Sequence, residues 1–227
     1  MNKILFLIIG LIIIGGVFWF ASQKAPFKKP NMPEQAVSPQ AQPSPIAEPE
    51  VAEKTAKKVL MIVAGRDFKD EEYFKSREVL ERAGFVFQVA SDIPGTAYGV
   101  DGGQASVDLT LDEVRVGDYD AIVFIGGPGA LKHLDNETSY KIVQEAVSQD
   151  KILAAICIAP SILAKAQVLS GKKATVWTSP LDKSAKKVLE ENGAIFIDQF
   201  VVQDGKIITG NGPAAAQEFA ETIVKAF

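Results

Sequence analysis

The chain has 227 residues, 47% hydrophobic and 23% charged, with 24 Lys and Arg against 28 Asp and Glu. Its net charge of -4 excludes a general binder of phosphate backbones, which needs a basic face, so no nucleic-acid partner is expected. A single cysteine, Cys157, and a single histidine, His133, exclude an internal disulfide framework and a zinc site of the Cys/His kind. No metal and no cofactor are expected on these grounds.

The amino-terminal part differs from the rest. Residues 4–21 (ILFLIIGLIIIGGVFWFA) carry no charge and follow Lys3. At about 1.5 Å per residue, a helix of this length nearly spans a hydrocarbon core of roughly 30 Å, and Trp19 suits the headgroup belt. Residues 1–22 are therefore expected to form one transmembrane signal anchor. A cleaved signal peptide is the alternative, although its apolar region is shorter, about 7–15 residues. Lys24, Lys28 and Lys29 after the span argue for a cytoplasmic domain. The short leading tail argues for export, and an extracytoplasmic side is the expectation adopted. Residues 23–56 are rich in Pro, Gln, Ala and Glu, with few large apolar side chains, and read as a disordered tether.

From residue 57 to 227 apolar runs alternate with helical patterns. Lys58–Ala64 reads as a buried strand, Asp70–Ala83 as a helix closed by Gly84, and Phe85–Ala90 as the second strand. Asp101-Gly102-Gly103 marks a hairpin within Tyr98–Val107. Tyr119–Ile125 and Ile152–Ile156 are further strands, separated by a helix over Asn136–Gln149 that Asp135 or Asn136 caps. Pro160–Gln167 resumes helix. Ala174–Trp177, Phe196–Val202 and Lys206–Thr209 are strand-like around a helix at Asp182–Asn192, and Pro213–Ala226 is a last helix. Runs of β-branched residues without alternation mark strands covered on both faces. The expected fold is α/β, a flavodoxin-like open, mostly parallel sheet with helices on both faces, preceded by one transmembrane helix.

In such sheets chemistry collects beyond the carboxyl ends of the strands, and three segments there stand out. Ala155-Ile156-Cys157-Ile158-Ala159 puts Cys157 between a strand end and a helix start, with small residues two before and two after, the logic of a nucleophile elbow. The following helix would favour thiolate through its dipole; alternatively Cys157 is a small buried hydrophobe. Asp67-Phe68-Lys69-Asp70-Glu71-Glu72 opens a helix, where carboxylates are favoured in any case, but Glu72 could point over the sheet edge towards Cys157. Ile125-Gly126-Gly127-Pro128-Gly129 offers exposed backbone N–H groups for an oxyanion, or simply a tight turn. Gly210-Asn211-Gly212-Pro213-Ala214-Ala215 fits G-x-G-x-x-A without the acidic residue about 20 positions on that dinucleotide binding requires.

Taken in order and spacing, these segments resemble the ThiJ/PfpI superfamily, which includes the PfpI intracellular proteases and the parkinsonism-associated protein deglycase. The resemblance rests on Phe68 to Glu72 with Gly84, Ile125 to Gly129, Ala154 to Cys157, and Gly210 to Pro213 through Phe219. It covers residues 57–227. It implies a homodimer or larger homo-oligomer and a reactive Cys157 hydrogen-bonded to a protonated Glu72. It also implies an oxyanion site from the backbone N–H groups of Gly127 and Ile158, beside Gly126. Two departures bear on activity. Protease-like members carry histidine directly after the cysteine, where this chain has Ile158. Deglycase-like members carry histidine in the segment aligned with Val176 to Pro180, where Ser179 stands as a possible pocket residue. Peptide hydrolysis by a Cys-His pair is therefore not expected. Two readings follow: a cysteine-dependent hydrolase or glyoxalase/deglycase-type enzyme acting on small carbonyl substrates or glycated groups, or a non-catalytic redox sensor or chaperone-like module whose Cys157 meets an oxidant.

Overall fold

The computed structural model describes residues 56–227; the expected membrane anchor and the tether up to residue 55 lie outside them. Among the described residues no helix is long and apolar enough to cross a membrane. In chain order the elements are β1 (Lys58–Ile62), β2 (Arg66–Phe68), α1 (Asp70–Arg82), β3 (Val86–Ser91), β4 (Gly95–Gly99), β5 (Gln104–Val107), β6 (Leu109–Thr110), β7 (Ala121–Phe124), α2 (Ala130–His133) and α3 (Glu137–Ser148). They continue as β8 (Ile152–Ile156), α4 (Pro160–Lys165), β9 (Lys173–Ala174), α5 (Ser184–Glu191), β10 (Ile195–Phe196), β11 (Val201–Asp204), β12 (Ile207–Gly210) and α6 (Ala216–Lys225).

Seven strands form the main sheet in the order β11-β12-β8-β7-β1-β3-β6. Every neighbouring pair is parallel except β11 with β12. The central strands β1, β7 and β8 are hydrophobic on both faces because both faces are covered. Leu60, Ile62, Ile122, Phe124, Leu153 and Ala155 pack with residues of α3, α4 and α5. Val59, Met61, Val123, Ala154 and Ile156 pack on the other side with α1 and α6 through Tyr73, Leu80, Phe219 and Ile223. This is the α/β architecture expected from the sequence. The hairpin also forms, with β4 and β5 antiparallel and β2 parallel to β4 in a separate three-stranded sheet. Asn136 caps α3 as expected, its Oδ1 accepting from the Ser139 amide at 3.0 Å.

Two expected strands are corrected. Only Lys173 and Ala174 of the segment running to Trp177 pair, and they pair with β10 in a two-stranded sheet of their own. The Thr175 amide turns instead to Thr209 Oγ1 at 2.9 Å and the Trp177 amide to Cys157 O at 2.8 Å, so the chain leaves the ladder to reach the elbow. The expected strand over Phe196–Val202 is broken into β10 and the start of β11, because the Gln199 amide closes a turn onto Ile197 O. The last helix begins as a 3₁₀ turn at Pro213–Ala215 before α6.

Candidate functional site

β8 delivers Ile156, fully buried, to the carboxyl edge of the sheet, and Cys157 follows in left-handed backbone conformation with φ of 62°. For a side chain with a Cβ this conformation is strained by about 1–2 kcal/mol. The surroundings hold it in place. The Cys157 amide donates to Gly210 O at 2.9 Å, its carbonyl accepts from Trp177, and the Ala159 amide donates to Ile156 O at 3.1 Å. Ala155 and Ala159, two residues either side, are fully buried. The abrupt turn read from the sequence is thus present.

The three acids at the start of α1 have three fates. Glu71 is exposed. Asp70 orders the hairpin, its carboxylate accepting from the Asp101 amide at 2.8 Å and the Gly103 amide at 2.6 Å. Glu72 is fully buried and reaches across the sheet edge to the elbow. Its Oε2 accepts from the Gly126 amide at 3.0 Å. Its carboxyl and the Cys157 side chain both close on Gly126, and its Oε1 makes no hydrogen bond. Burial first, against the opposing pull of Cys157 and the Gly126 amide, pushes the Glu72 carboxyl up from 4.5 to about 7.

Cys157 is affected in the same direction. Burial pushes its thiol well above the ordinary range, and the Glu72 charge pushes it further, while backbone N–H groups of Gly127 and Ile158 pull the other way. The expectation that a helix dipole favours thiolate needs correcting here. α4 has six residues, and desolvation of the sulfur outweighs what so short a helix supplies. Burial thus holds both the carboxyl and the thiol towards their protonated forms.

Gly126 permits this contact. A Cβ there would lie 2.5 Å from Cys157 Cβ, 2.7 Å from Ile156 O and 2.8 Å from Glu72 Oε2. Gly127, with φ of 111°, leaves no room for a side chain against the backbone of Asp67 to Lys69. The Lys69 amide donates to Gly126 O at 2.9 Å, locking the two loops together. Above the sulfur a cavity of about 390 Å³ is lined by Lys69, Gly127, Pro128, Leu131, Cys157, Ile158, Trp177 and Pro213.

The structure therefore brings Cys157, Glu72, Gly126, Gly127 and Ile158 together. It does not bring Ser179 to the cavity lining. Ser179 sits in a turn, its Oγ accepting from the Asp182 amide at 3.0 Å, and Trp177 faces the cavity instead. His133 is not among the lining residues either; its Nδ1 lies 2.7 Å from Asp92 Oδ2. Sequence reasoning missed Lys69, Leu131, Trp177 and Pro213. Trp177 and Pro213 lay within segments already singled out, one assigned through Ser179 and the other dismissed as a failed nucleotide motif.

The profile of the DJ-1/PfpI family matches residues 57–226. The chain belongs to the DJ-1/PfpI family. An uncharacterised protein of Methanocaldococcus jannaschii is 40% identical over 170 residues, covering 74% of this chain and 82% of that protein. The protein named Deglycase PfpI from Pyrococcus furiosus is 30% identical over 166 residues, covering 73% and 97%. Among solved structures, a ThiJ/PfpI domain protein from Brachyspira murdochii superposes with a TM-score of 0.70 at 30% identity, covering 75% of this chain and 96% of that one. Drosophila melanogaster DJ-1beta gives 0.66 at 32% identity, covering 75% and 89%.

Proposed function

We propose that this DJ-1/PfpI domain is a cysteine-dependent enzyme of glyoxalase or deglycase type, acting on small dicarbonyl compounds or glycated groups. The observation that carries the reading is the pairing of Cys157, on its strained elbow at the floor of a 390 Å³ cavity, with a buried Glu72 whose carboxyl titrates near 7. A carboxyl poised near the working pH is suited to both accepting and returning a proton. As the sulfur adds to an aldehyde carbon, the S–H proton passes to Glu72, the S–C bond forms and the carbonyl π pair moves to oxygen. That oxygen takes the proton back, giving a hemithioacetal. The N–H groups of Gly127 and Ile158 lie against the sulfur, and we assign them the oxyanion that develops as it adds. Removal of the adduct C–H proton by Glu72 would give an enediol; its return to the neighbouring carbon, with the hydroxyl proton of the sulfur-bearing carbon passing to the neighbouring oxygen, would give a thioester that water hydrolyses to a 2-hydroxy acid and the free thiol.

Peptide hydrolysis has no comparable support: Ile158 follows the cysteine, and the single histidine is bonded to Asp92 instead of lining the cavity. The absence of imidazole from the lining also favours a second reading, in which Cys157 is an oxidant-sensing thiol and protonated Glu72 donates to a sulfinate. We place the domain at a membrane, outside the cytoplasm, on the apolar segment 4–21 and the tether after it, and expect it to associate with itself as its relatives' family does. Turnover of methylglyoxal to lactate by the full chain in a non-ionic detergent, abolished by Cys157→Ala, is the expected result. No turnover, with peroxide producing sulfinate at Cys157, would replace the enzyme with the sensor.

A further inference from the structure

We infer that the cavity over Cys157 selects uncharged 2-oxoaldehydes with an apolar tail of several carbons, the aldehyde carbon at the sulfur and the tail against Trp177 and Leu131. This choice of substrate rests on the catalytic reading above and narrows it. Apart from Cys157 and Lys69, the lining side chains are those of Pro128, Leu131, Ile158, Trp177 and Pro213, all largely apolar, and Gly127 adds only backbone. Lys69 contributes its aliphatic stem, because its ammonium donates to Asp101 Oδ2 at 2.6 Å, on a side chain more than half exposed. A charged substituent entering the cavity would lose water without meeting a counter-charge.

The apolar walls are fixed by the fold. The Trp177 amide donates to Cys157 O at 2.8 Å, which ties this residue to the elbow itself. A Cβ on Gly212 would come to 3.4 Å from Trp177 Cδ1, so the indole rests beside the turn that carries Pro213. Leu131 and Ile158 are partly buried and pack against the core on the α3, α4 and α5 side of the sheet. Leu131 belongs to α2, whose Ala130 amide donates to Gly127 O at 3.0 Å, so it shares the loop that closes on the sulfur. Little side-chain freedom is lost when a tail settles on walls held in this way.

Size points in the same direction. At about 390 Å³ the cavity falls in the range, roughly 300–1,000 Å³, that encloses ligands far larger than a three-carbon ketoaldehyde. Methylglyoxal would leave most of this space to water, which finds few of the polar partners, about 2–4, that hold it elsewhere. Displacing such water by an apolar group is favourable, and each methylene enclosed should strengthen binding about fourfold. The covalent chemistry balances as for methylglyoxal. With 2-oxohexanal, the S–H adds across the aldehyde, the S–C bond forms and the sulfur's proton ends on the new hydroxyl. One water taken up at the thioester then releases 2-hydroxyhexanoate, the tail unchanged.

Because the chain has one cysteine, maleimides report on this site without requiring turnover. The measurement is the rate ratio of N-butylmaleimide to N-methylmaleimide for the full chain in non-ionic detergent, divided by the same ratio for N-acetylcysteine in that detergent. In the parent it is expected to be about tenfold, equivalent to roughly 1.4 kcal/mol. Trp177→Ala and Leu131→Gln should each lower it about threefold or more, whereas Trp177→Phe should keep it. Partition of the reagents into detergent is common to parent and variants and cancels between them. Leu131→Gln decides alone if Trp177→Ala does not fold. In turnover by the parent, 2-oxohexanal should exceed methylglyoxal about tenfold in kcat/KM. A parental ratio near one, or a ratio that neither Trp177→Ala nor Leu131→Gln lowers, would overturn the selectivity even if methylglyoxal is turned over. A ratio that depends on Trp177 and Leu131 without turnover of either ketoaldehyde would leave the apolar receptor standing and remove the enzymatic reading instead.

Discussion

Replacing Glu72 by Gln tests the buried carboxyl directly. Gln keeps the shape and an acceptor for the Gly126 amide but cannot ionise. In the folded chain the Glu72 carboxyl titrates at about 7 and, freed from its surroundings, near 4.5. Between these two values the folded state holds a proton that the unfolded state has released. Stability contributed by this group is therefore full below about pH 4.5 and is lost as pH rises through 7. Across that window the loss amounts to about 3 kcal/mol, at roughly 1.4 kcal/mol per pH unit. Subtracting the urea-denaturation profile of the parent 57–227 domain from that of Glu72→Gln cancels the groups common to both. The difference should rise by about 3 kcal/mol in favour of the variant between pH 4.5 and pH 7.5, or by some 6–12 °C in relative Tm for a domain of this size. Parallel profiles would refute the reasoning, and Glu72 would be one more helix-start carboxylate.

Other outcomes follow from the same geometry. Glu72→Leu removes the carboxylate whose charge pushes the Cys157 thiol up, so the pH midpoint of iodoacetamide alkylation should move down; with no carboxyl left to donate to a sulfinate, peroxide should yield less of it at Cys157 by mass spectrometry. Gly126→Ala should destabilise by about 1–3 kcal/mol in chemical denaturation and lower Cys157 reactivity, because the new methyl group must displace the sulfur or the carboxyl. Deleting residues 1–56 should leave a soluble domain with a single sigmoidal thermal transition, whereas the full chain should leave membranes with detergent and not with high salt.

Much of this arrangement could be read in the residues before any coordinates. The buried strands announced themselves because VLMI, AIVF and ILAAI are apolar without alternation, which a sheet covered on both faces demands. The elbow was visible because a strained turn at Cys157 needs Ala155 and Ala159 to be small. Where pairing was not set by hydrophobic pattern, legibility failed. Thr175 and Trp177 look like strand residues, yet their amides go to a threonine hydroxyl and to the elbow carbonyl, partners no periodicity encodes. Lys69 was hidden for a similar reason. Amid Asp67, Asp70, Glu71 and Glu72 it reads as a surface counter-charge, and its place at the cavity depends on its amide reaching Gly126, more than fifty residues away.

The solitary thiol at the base of the cavity has a consequence for repair. Once Cys157 is oxidised to a sulfenic acid, these 227 residues contain no second cysteine to condense with it, so the usual intramolecular route back through a disulfide is closed. Rescue has to come from outside the chain, through the cavity that Trp177, Pro213 and Lys69 help to line. A slender reductant can make that approach, whereas a thiol carried on a bulky protein surface has to fit within the same opening. Continued exposure to peroxide drives the sulfur on to the sulfinic acid, which ordinary thiols do not reduce.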